Sequence, residues 1–212
     1  MRQETWQVDA TKILTRVELA SVLRDLRTKA NNSENARLNL VLVRLACCCG
    51  LRVSEIAGLQ IGDVHVNRDR PFLRIRAETS KGNRARCVPL WWDGDTLGDL
   101  SDWKEHRVRE GAKPRDAFVG SLWKSRYGSR LSRHTLRRRF ITACKVLGLE
   151  RLQGLTIHHG RHTFISHALA GGRTIAEVRA AVGHQSLVTT SAYLHIAVDD
   201  NGEVGQLFRF ES

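Results

Sequence analysis

Apolar residues recur at intervals of three and four along most of the chain, which is the spacing of a helix with one buried face. The first such segment opens at Thr15 with Glu18 three positions later, the signature of a capping box, and continues to Leu26. Similar segments occupy residues 34–49, 54–59, 96–109, 132–148, 162–170, 175–182 and 188–193. The pattern therefore predicts a mainly helical protein.

Residues 64–66, 72–76 and 84–88 instead alternate between apolar and polar side chains, which is typical of half-buried strands. Turn-forming residues fill the connections 67–71 and 80–83. We predict three antiparallel strands, with Lys81 at the tip of a hairpin. The expected fold class is mainly α with a small three-stranded antiparallel β-sheet (α+β).

Composition narrows the class of protein. The 212 residues include 34 Lys and Arg against 22 Asp and Glu, for a formal net charge of +12. No apolar run reaches the ~18 residues of a membrane span, and the start lacks the apolar stretch of a secretory signal. Five cysteines, three of them adjacent, do not form a disulfide framework. We therefore expect a cytoplasmic protein with a polyanionic partner and no membrane association.

The positive charge is concentrated in one part of the sequence. Residues 117–149 contain no acidic residue, whereas the last fourteen residues carry four acids and one arginine. We interpret the acid-free block as a phosphate-binding surface; the alternative is a solvated face whose acids lie elsewhere. The cations of the block are Lys124, Arg126, Arg130, Arg133, Arg137, Arg138, Arg139 and Lys145.

A histidine cluster in the second half suggests chemistry. His158 and His162 lie four residues apart, a spacing that can serve a metal on a helix. However, the segment lacks the H-E-x-x-H pattern, and Arg161 inside it would repel a cation. Guanidinium and imidazole groups together favour an anion site instead. Taken singly, Arg52 is interpreted as a surface cation and Tyr193 as a half-buried aromatic.

Four segments in order change that interpretation. They are residues 47–59 (CCCGLRVSEIAGL), 78–90 (ETSKGNRARCVPL), 155–169 (LTIHHGRHTFISHAL) and 182–196 (VGHQSLVTTSAYLHI). Together they resemble the catalytic domain of the tyrosine recombinase (phage integrase) family, and residues 12–19 (KILTRVEL) resemble its opening. The resemblance covers residues 12–196, and it implies a site-specific DNA recombinase or integrase.

The resemblance also implies a role for each matching residue. Arg52 corresponds to the first catalytic arginine, Lys81 to the hairpin lysine and Tyr193 to the nucleophile. Glu55 corresponds to a supporting residue that orients the site, and His162 to a residue that packs beside Arg161 or supports the catalytic residues from behind. His159 and Gly160 depart from the commoner acidic and leucine pair of the family. His158 and Arg161 fill the H-x-x-R positions, and His184 fills the position of a histidine or tryptophan that donates to a phosphate oxygen.

The implied reaction is attack of Tyr193 on a DNA phosphodiester, which leaves a 3′-phosphotyrosyl link and a free 5′-hydroxyl. Arg52 and Arg161 would hold the non-bridging oxygens. His158 would take the tyrosine proton, and Lys81 would protonate the leaving 5′-oxygen. Since cationic side chains supply the positive charge, we expect no metal, no cofactor and no need for ATP.

The resemblance further implies double-stranded DNA as the partner, contacted by the basic residues 124–139, and a homotetramer on DNA, with a monomer in solution left open. We expect an N-terminal extension at 1–11 and a C-terminal tail at 197–212 that contacts another protomer. Little precedes residue 12, so we also expect the family's N-terminal core-binding domain to be absent, either because the chain is a fragment or because it is naturally short.

Three rival functions remain open at this stage. A type IB topoisomerase uses a similar set of residues to relax DNA, although the hairpin and G-L-R phrases look more like integrases. A non-catalytic DNA-binding protein would lack a catalytic residue, and none is missing. An RNA-binding protein would leave the order of the six matching residues unexplained. The target site, and the choice between integration, excision, resolution and transposition, are not encoded in these motifs.

Overall fold

The computed structural model describes residues 9–80 and 82–194, and most of them are helical. The α-helices are α1 (Arg16–Ala30), α2 (Glu34–Val43), α3 (Val53–Gly58), α4 (Gly94–Arg109), α5 (Arg133–Ala143), α6 (Leu149–Leu152), α7 (Ile157–Ala170), α8 (Ile175–Val182) and α9 (Leu187–Ser191). The strands are β1 (Val64–His65), β2 (Phe72–Ile75) and β3 (Arg86–Pro89). The predicted tail at 197–212 lies outside the described residues.

The three strands form one antiparallel sheet in the order β1-β2-β3. Leu73 is central to the register, since it pairs with Val64 on one side and with Val88 on the other, and all three side chains are buried. The predicted fold class is therefore confirmed. Strand β3 begins two residues later than predicted, because the preceding turn extends through Asn83, whose φ is 52°.

Side-chain caps set the beginnings of several helices. Thr15 accepts a hydrogen bond from the Glu18 N–H and Glu18 accepts one from the Thr15 N–H, which is the capping box that the sequence predicted. Ser132 caps α5 as predicted by accepting from the Thr135 N–H. Helix α5 ends at Ala143, short of the predicted end, and a single 3₁₀ turn (Lys145–Leu147) follows it.

Two helices that carry site residues begin earlier than the sequence pattern predicted. Helix α3 begins at Val53 rather than at Ser54, because the Glu55 carboxylate accepts a hydrogen bond from the Arg52 N–H at 2.8 Å. Helix α7 begins at Ile157, because His159 accepts a hydrogen bond from the Thr156 N–H at 3.2 Å. His159 thus takes the place of the glutamate or glutamine whose side chain usually completes a capping box.

Helix α7 packs against the π-helical turn Arg44–Cys48 that follows α2, and two glycines permit the close approach. A Cβ on Gly160 would lie 2.9 Å from Ala46 Cβ. Gly50 adopts a φ of 63°, and a Cβ there would lie 2.5 Å from the ring of Phe164. Small residues at these positions therefore bring α7 and the segment before α3 together.

The buried apolar residues form two clusters. The larger contains α1, α2, the sheet and α5, whereas the smaller joins residues of α7 and α8 to Ile13, Trp92 and Tyr193. Cys47, Cys48 and Cys49 lie in the larger cluster as free thiols. No helix in the described part of the chain is both long and apolar enough to cross a membrane.

Candidate active site

Arg52 and Glu55 form the first part of the site, at the beginning of α3. The Glu55 side chain is fully buried, and its carboxylate accepts hydrogen bonds from both the N–H and the Nη1 of Arg52, the latter at 3.1 Å. Burial alone would raise the pKa of Glu55, but hydrogen bonds from Arg86 and the Arg86 charge hold it below its usual value. Glu55 is therefore an anion that orients Arg52, which remains partly exposed.

Arg161 projects from α7 between two other segments. Its Nη1 donates to Gly50 O at 2.7 Å, and its Nη2 donates to Val182 O at 2.6 Å. Burial and the neighbouring Arg52 charge lower the pKa of Arg161 to about 9, which leaves it charged at neutral pH. The guanidinium is thus a fixed cation that joins the segment before α3 to the end of α8.

His158 and His184 border the same two arginines. His158 lies near the start of α7 and has an exposed surface. Partial burial of its ring, together with the charges of Arg137 and Arg161, lowers its pKa. His184 follows α8, and its Nδ1 lies 3.0 Å from the Thr190 hydroxyl. Burial and the Arg161 charge lower the pKa of His184 to about 3, so this imidazole is neutral at physiological pH.

Tyr193 lies after α9 with only 3% of its surface exposed. Its Oη is 2.5 Å from Nδ1 of His162, and the two rings stack with centroids 5.7 Å apart. Burial raises the pKa of Tyr193 to about 12 against an opposing effect of Arg161. Burial, with His159 nearby, lowers the pKa of His162 to about 4. A neutral phenol therefore pairs with a neutral imidazole.

These contacts differ from one part of the sequence-based interpretation. The reaction scheme gave the tyrosine proton to His158, but the histidine bonded to the Tyr193 hydroxyl is His162. The two histidines are four apart on α7 and therefore occupy the same side of the helix one turn apart. His162 is the one that lies beside the small apolar cluster, which contains Tyr193.

Lys81 lies outside the described residues, but the residues on either side of it, Ser80 and Gly82, are described. A Cβ on Gly82 would lie 2.9 Å from Nε2 of Gln185, so this turn approaches the segment that follows His184. A cavity of about 270 Å³ separates the turn from α8 and is lined by residues that include Ser80, Arg84, Arg179, His184 and Gln185.

The site as a whole has excess positive charge. Arg52, Arg86 and Arg161 surround the single carboxylate of Glu55, and the lowered pKa values of His158 and His184 have burial and these neighbouring cations as their causes. Such a cluster is electrostatically suited to a phosphate group. Among the described residues no group of three or more His, Cys, Asp or Glu side chains is arranged to hold a metal ion.

Most of the predicted DNA-binding cations are exposed. Arg137 is close enough to His158 to contribute to the lowering of its pKa, so the basic surface is continuous with the arginine cluster. Helix α5 has no acidic residue in its first turn. The exposed cations of this surface are Lys124, Arg126, Arg130, Arg133, Arg137 and Arg138.

Arg139 is the exception in this group. Its guanidinium donates to the side-chain oxygens of Asn39 at 3.0 Å and of Asn35 at 2.8 Å, and it therefore faces α2. Burial lowers its pKa. Arg139 thus has a role in packing between helices, and its predicted contact with phosphates stays a prediction.

The sequence interpretation overlooked two features of these surfaces. Trp123 precedes the basic residues of the loop and is 77% exposed, which is unusual for a tryptophan. Arg86 contacts both oxygens of Glu55 from β3, at 2.9 and 2.8 Å. Hydrophobic periodicity does not distinguish Arg86 from the other arginines of the hairpin. The signal lies in the structure, because the fully buried Glu55 carboxylate needs a second cation besides the partly exposed Arg52.

A comparison with protein families matches the model of the Phage integrase family to residues 12–199. Among curated proteins, the tyrosine recombinase XerC of Corynebacterium efficiens is 34% identical over 170 residues, which are 79% of this chain and 49% of that protein. XerC of Corynebacterium glutamicum is 30% identical over 168 residues, 79% of this chain and 50% of that protein. The chain thus spans about half the length of these curated relatives.

Solved structures share the fold. The crystal structure of XerA recombinase superposes with a TM-score of 0.70 at 21% identity and covers 95% of this chain and 64% of that one. XerH site-specific recombinase bound to difH substrate, in a pre-cleavage complex, gives a TM-score of 0.67 at 23% identity, over 92% of this chain and 55% of that one. At these identities the likeness extends to the fold alone.

Proposed function

The chain belongs to the phage integrase family, and from that premise we propose that it is a site-specific DNA recombinase or integrase that breaks and rejoins DNA through a 3′-phosphotyrosyl intermediate. The observation that carries the proposal is the convergence of Arg52, Arg161 and Tyr193 from three separate segments on one cationic site. Folding does not require cationic residues from distant parts of the sequence to be brought together at one site.

The arginines supply the electrostatic part of the reaction. A phosphodiester gains negative charge on its non-bridging oxygens in the transition state, and fixed donors stabilise that charge without having to reorganise. Arg161 is held by two carbonyl oxygens and Arg52 by Glu55, so both are fixed before substrate arrives. We propose that they hold the scissile phosphate, with His158 and His184 donating further hydrogen bonds to its oxygens.

The nucleophile must lose its proton before or during attack. We propose that His162 accepts the Tyr193 proton, since its Nδ1 is in contact with the phenol. A pKa near 12 for the phenol and near 4 for the imidazole oppose transfer in the DNA-free state. A bound phosphate would raise the pKa of the imidazole through its negative charge. The phenol oxygen becomes more acidic as its bond to phosphorus forms, so the proton moves to His162 during attack rather than before it.

The leaving 5′-oxygen requires a proton as it departs, and we propose Lys81 as its source. This assignment predicts selective rescue by a modified substrate. A 5′-bridging phosphorothiolate has a thiolate leaving group that needs no proton, so Lys81→Ala should cleave it at close to the wild-type rate while cleaving normal DNA slowly. Equal defects on both substrates would count against Lys81 as the acid.

Double-stranded DNA is the proposed substrate, with the exposed cations of residues 124–138 contacting its phosphates. XerH, a site-specific recombinase that shares the fold, is bound to its difH substrate in the pre-cleavage complex. We further propose that strand exchange takes place in a homotetramer on DNA. We propose that the positive charge of the site serves in place of a metal or cofactor. ATP is not needed for rejoining, because phosphotyrosine formation conserves the energy of the broken phosphodiester.

The test uses covalent trapping on DNA of random sequence, so the target site is selected by the protein itself. Wild-type protein is incubated in EDTA with a library of randomised duplexes that carry 5′-bridging phosphorothiolates, and denaturant-resistant adducts are isolated and sequenced. We expect adducts that share a common sequence. Failure to form them, or formation only when Mg²⁺ is added, would overturn the proposed chemistry.

The same protein and the selected DNA sequence also distinguish the recombinase from two rival functions. A type IB topoisomerase would relax supercoiled plasmids that lack the selected sequence, whereas a recombinase would exchange strands between two plasmids that carry it. A non-catalytic DNA-binding protein would enrich a sequence without forming any adduct. We expect two-site exchange, which is the outcome that distinguishes a recombinase from both rivals.

A further inference from the structure

Arg86 lies at the beginning of β3 with 9% of its side chain exposed, and each of its three nitrogen groups has a partner. Nη1 donates to Glu55 Oε1 at 2.9 Å, and Nη2 donates to Glu55 Oε2 at 2.8 Å. Nε donates to Ala181 O at 2.8 Å. This is a bidentate pair with a buried carboxylate, extended by a third bond to the end of α8.

These bonds connect segments that each carry a site residue. Glu55 also binds the N–H and the guanidinium of Arg52. Ala181 immediately precedes Val182, whose carbonyl accepts from Arg161, and lies three residues before His184. One guanidinium therefore fixes the position of the first arginine relative to the segment that supports the second arginine and the histidine.

Gly183 shows how closely Arg86 is fitted into this position. Its φ is 68°, and a Cβ there would lie 3.0 Å from Arg86 Cδ and 3.1 Å from Arg86 Nε. The backbone at the end of α8 thus packs directly on the arginine stem. Any displacement of Arg86 would move either Glu55 or this segment.

Another ion pair on the same sheet provides a contrast. Arg74, on β2, donates through Nε and Nη2 to the buried Asp63 at 3.3 Å. Asp63 in turn accepts from the Gln60 N–H and shapes the turn before β1. This too is an arginine paired with a buried carboxylate, but both of its nitrogens contact the single oxygen Oδ1, and Asp63 has Arg76 as its second cation rather than a residue of the site.

We propose that Arg86 is a positioning residue for strand cleavage, which fixes Glu55, and through it the Arg52 guanidinium, against the segment that carries His184. The proposal rests on the proposed function, since it concerns the rate of that reaction. A lysine cannot replace the arginine here, because a single ammonium group cannot donate two parallel hydrogen bonds to the carboxylate and a third to Ala181 O. Misplacement of a catalytic group by about 1 Å costs on the order of 10²-fold in rate.

The first experiment measures single-turnover cleavage of the selected DNA by wild type, Arg86→Lys and Arg86→Gln. Rates at saturating DNA are normalised to the folded fraction from thermal melting. We expect both variants to cleave about 10- to 100-fold more slowly, with the Kd for DNA within about twofold of wild type, since Arg86 faces the protein. Arg74→Lys serves as the matched control and should cleave at the wild-type rate.

A double-mutant cycle then separates positioning from general damage to the fold. If Arg86 acts through Arg52, its substitution has no Arg52 guanidinium left to misplace in an Arg52→Ala protein, and only its bond to Ala181 O can still contribute. Arg86→Gln should therefore slow an Arg52→Ala protein by less than about threefold. The same fold reduction in both backgrounds would overturn the proposal, as would normalised rates of the single variants equal to wild type.

Failure of this inference is distinguishable from failure of the proposed function. The wild-type protein in the same assay reports the function itself: if it forms no adduct, the reaction assigned above is wrong. If wild type cleaves and the Arg86 variants cleave equally well, the function stands and only the positioning role falls.

Discussion

At the residue scale, the pairing of Tyr193 with His162 determines how the proposed nucleophile is held before DNA is bound. The phenol is buried, its Oη lies 2.5 Å from the imidazole, and its pKa is raised to about 12 by burial. Both groups are therefore neutral at physiological pH. We propose that this arrangement keeps the phenol oriented but unreactive until a phosphate is bound.

This pairing predicts that His162 contributes to the chemical step. His162→Ala should lower the single-turnover cleavage rate by about 10²-fold, the usual contribution of a positioned proton acceptor, with DNA affinity unchanged. His65→Ala is the control, because His65 is a partly buried histidine on β1 whose ring stacks on Phe72 rather than on a residue of the site. Equal effects of the two substitutions would contradict a proton-accepting role.

Two glycines provide a second test at this scale. Gly160→Ala places a Cβ 2.9 Å from Ala46 Cβ, and overpacking of this kind should lower the free energy of unfolding by about 1–3 kcal/mol. Gly98→Ala, in an open part of α4, should instead raise it by roughly 0.5–1 kcal/mol through helix propensity. Urea denaturation measures both, and a neutral Gly160→Ala would mean that α7 is less tightly packed than described.

At the scale of elements, α5 combines two functions on two faces. One face carries exposed cations close to the site, and the other packs Leu136 and Phe140 into the core. Arg139 lies between these faces and bonds to amides of α2. The helix therefore presents its exposed cations, which are the proposed phosphate contacts, from a face that is packed into the core.

This division predicts different effects of neighbouring arginines on DNA affinity. Arg133→Ala and Arg137→Ala should each reduce the slope of log K against log salt by about 0.9, the value for one phosphate contact. Arg139→Ala should leave the slope unchanged, and it should lower the unfolding temperature instead. Titrations at several salt concentrations measure the slopes. If Arg139→Ala changes the slope as much as Arg137→Ala, the assigned faces are wrong.

The sequence predicted the elements better than it predicted their beginnings. The beginnings of α1 and α5 are exceptions that were predicted correctly, because Thr15 and Ser132 cap their own helices through local hydrogen bonds. Helix α7 was predicted to begin at residue 162, since a histidine in the capping role of His159 leaves no recognisable signal. The consequence for the site is that His158, Arg161 and His162 share one helix.

Motif order identified most of the candidate site, but the contacts within it are tertiary. The bond between Tyr193 and His162 joins residues 31 positions apart, and that between Arg86 and Glu55 also joins residues 31 positions apart. Neither sequence spacing nor charge pattern specifies which histidine or which arginine makes such a contact. Which of these contacts form is determined by how α8 packs against β3 and against α7.

At the scale of the whole molecule, several histidines are neutral in the folded state because they are buried. Burial lowers the pKa of His162 and His167 to about 4 and that of His184 to about 3. An unfolded chain has histidine pKa values near 6.5. Between these values the unfolded state binds more protons than the folded state, so the stability present above pH 6.5 is lost as the pH falls towards 4.

We therefore expect acid-sensitive stability. Unfolding near pH 5 should take up about three more protons than unfolding near pH 7.5, which corresponds to the three buried imidazoles. Thermal melting across this range should show a falling unfolding temperature, and His167→Gln should remove about one proton from the uptake. A melting temperature that is flat between pH 7 and pH 5 would contradict the assignment of neutral buried histidines.

The central claim is that Tyr193 becomes covalently joined to DNA, and the chain offers a direct test because it contains only two tyrosines. Adducts formed with trapped DNA by wild type, Tyr193→Phe and Tyr127→Phe are digested and mapped by mass spectrometry. We predict a 3′-phosphate linkage on the peptide that contains Tyr193, retained in Tyr127→Phe and absent from Tyr193→Phe. An adduct that persists in Tyr193→Phe, or that maps to any other residue, would contradict the account.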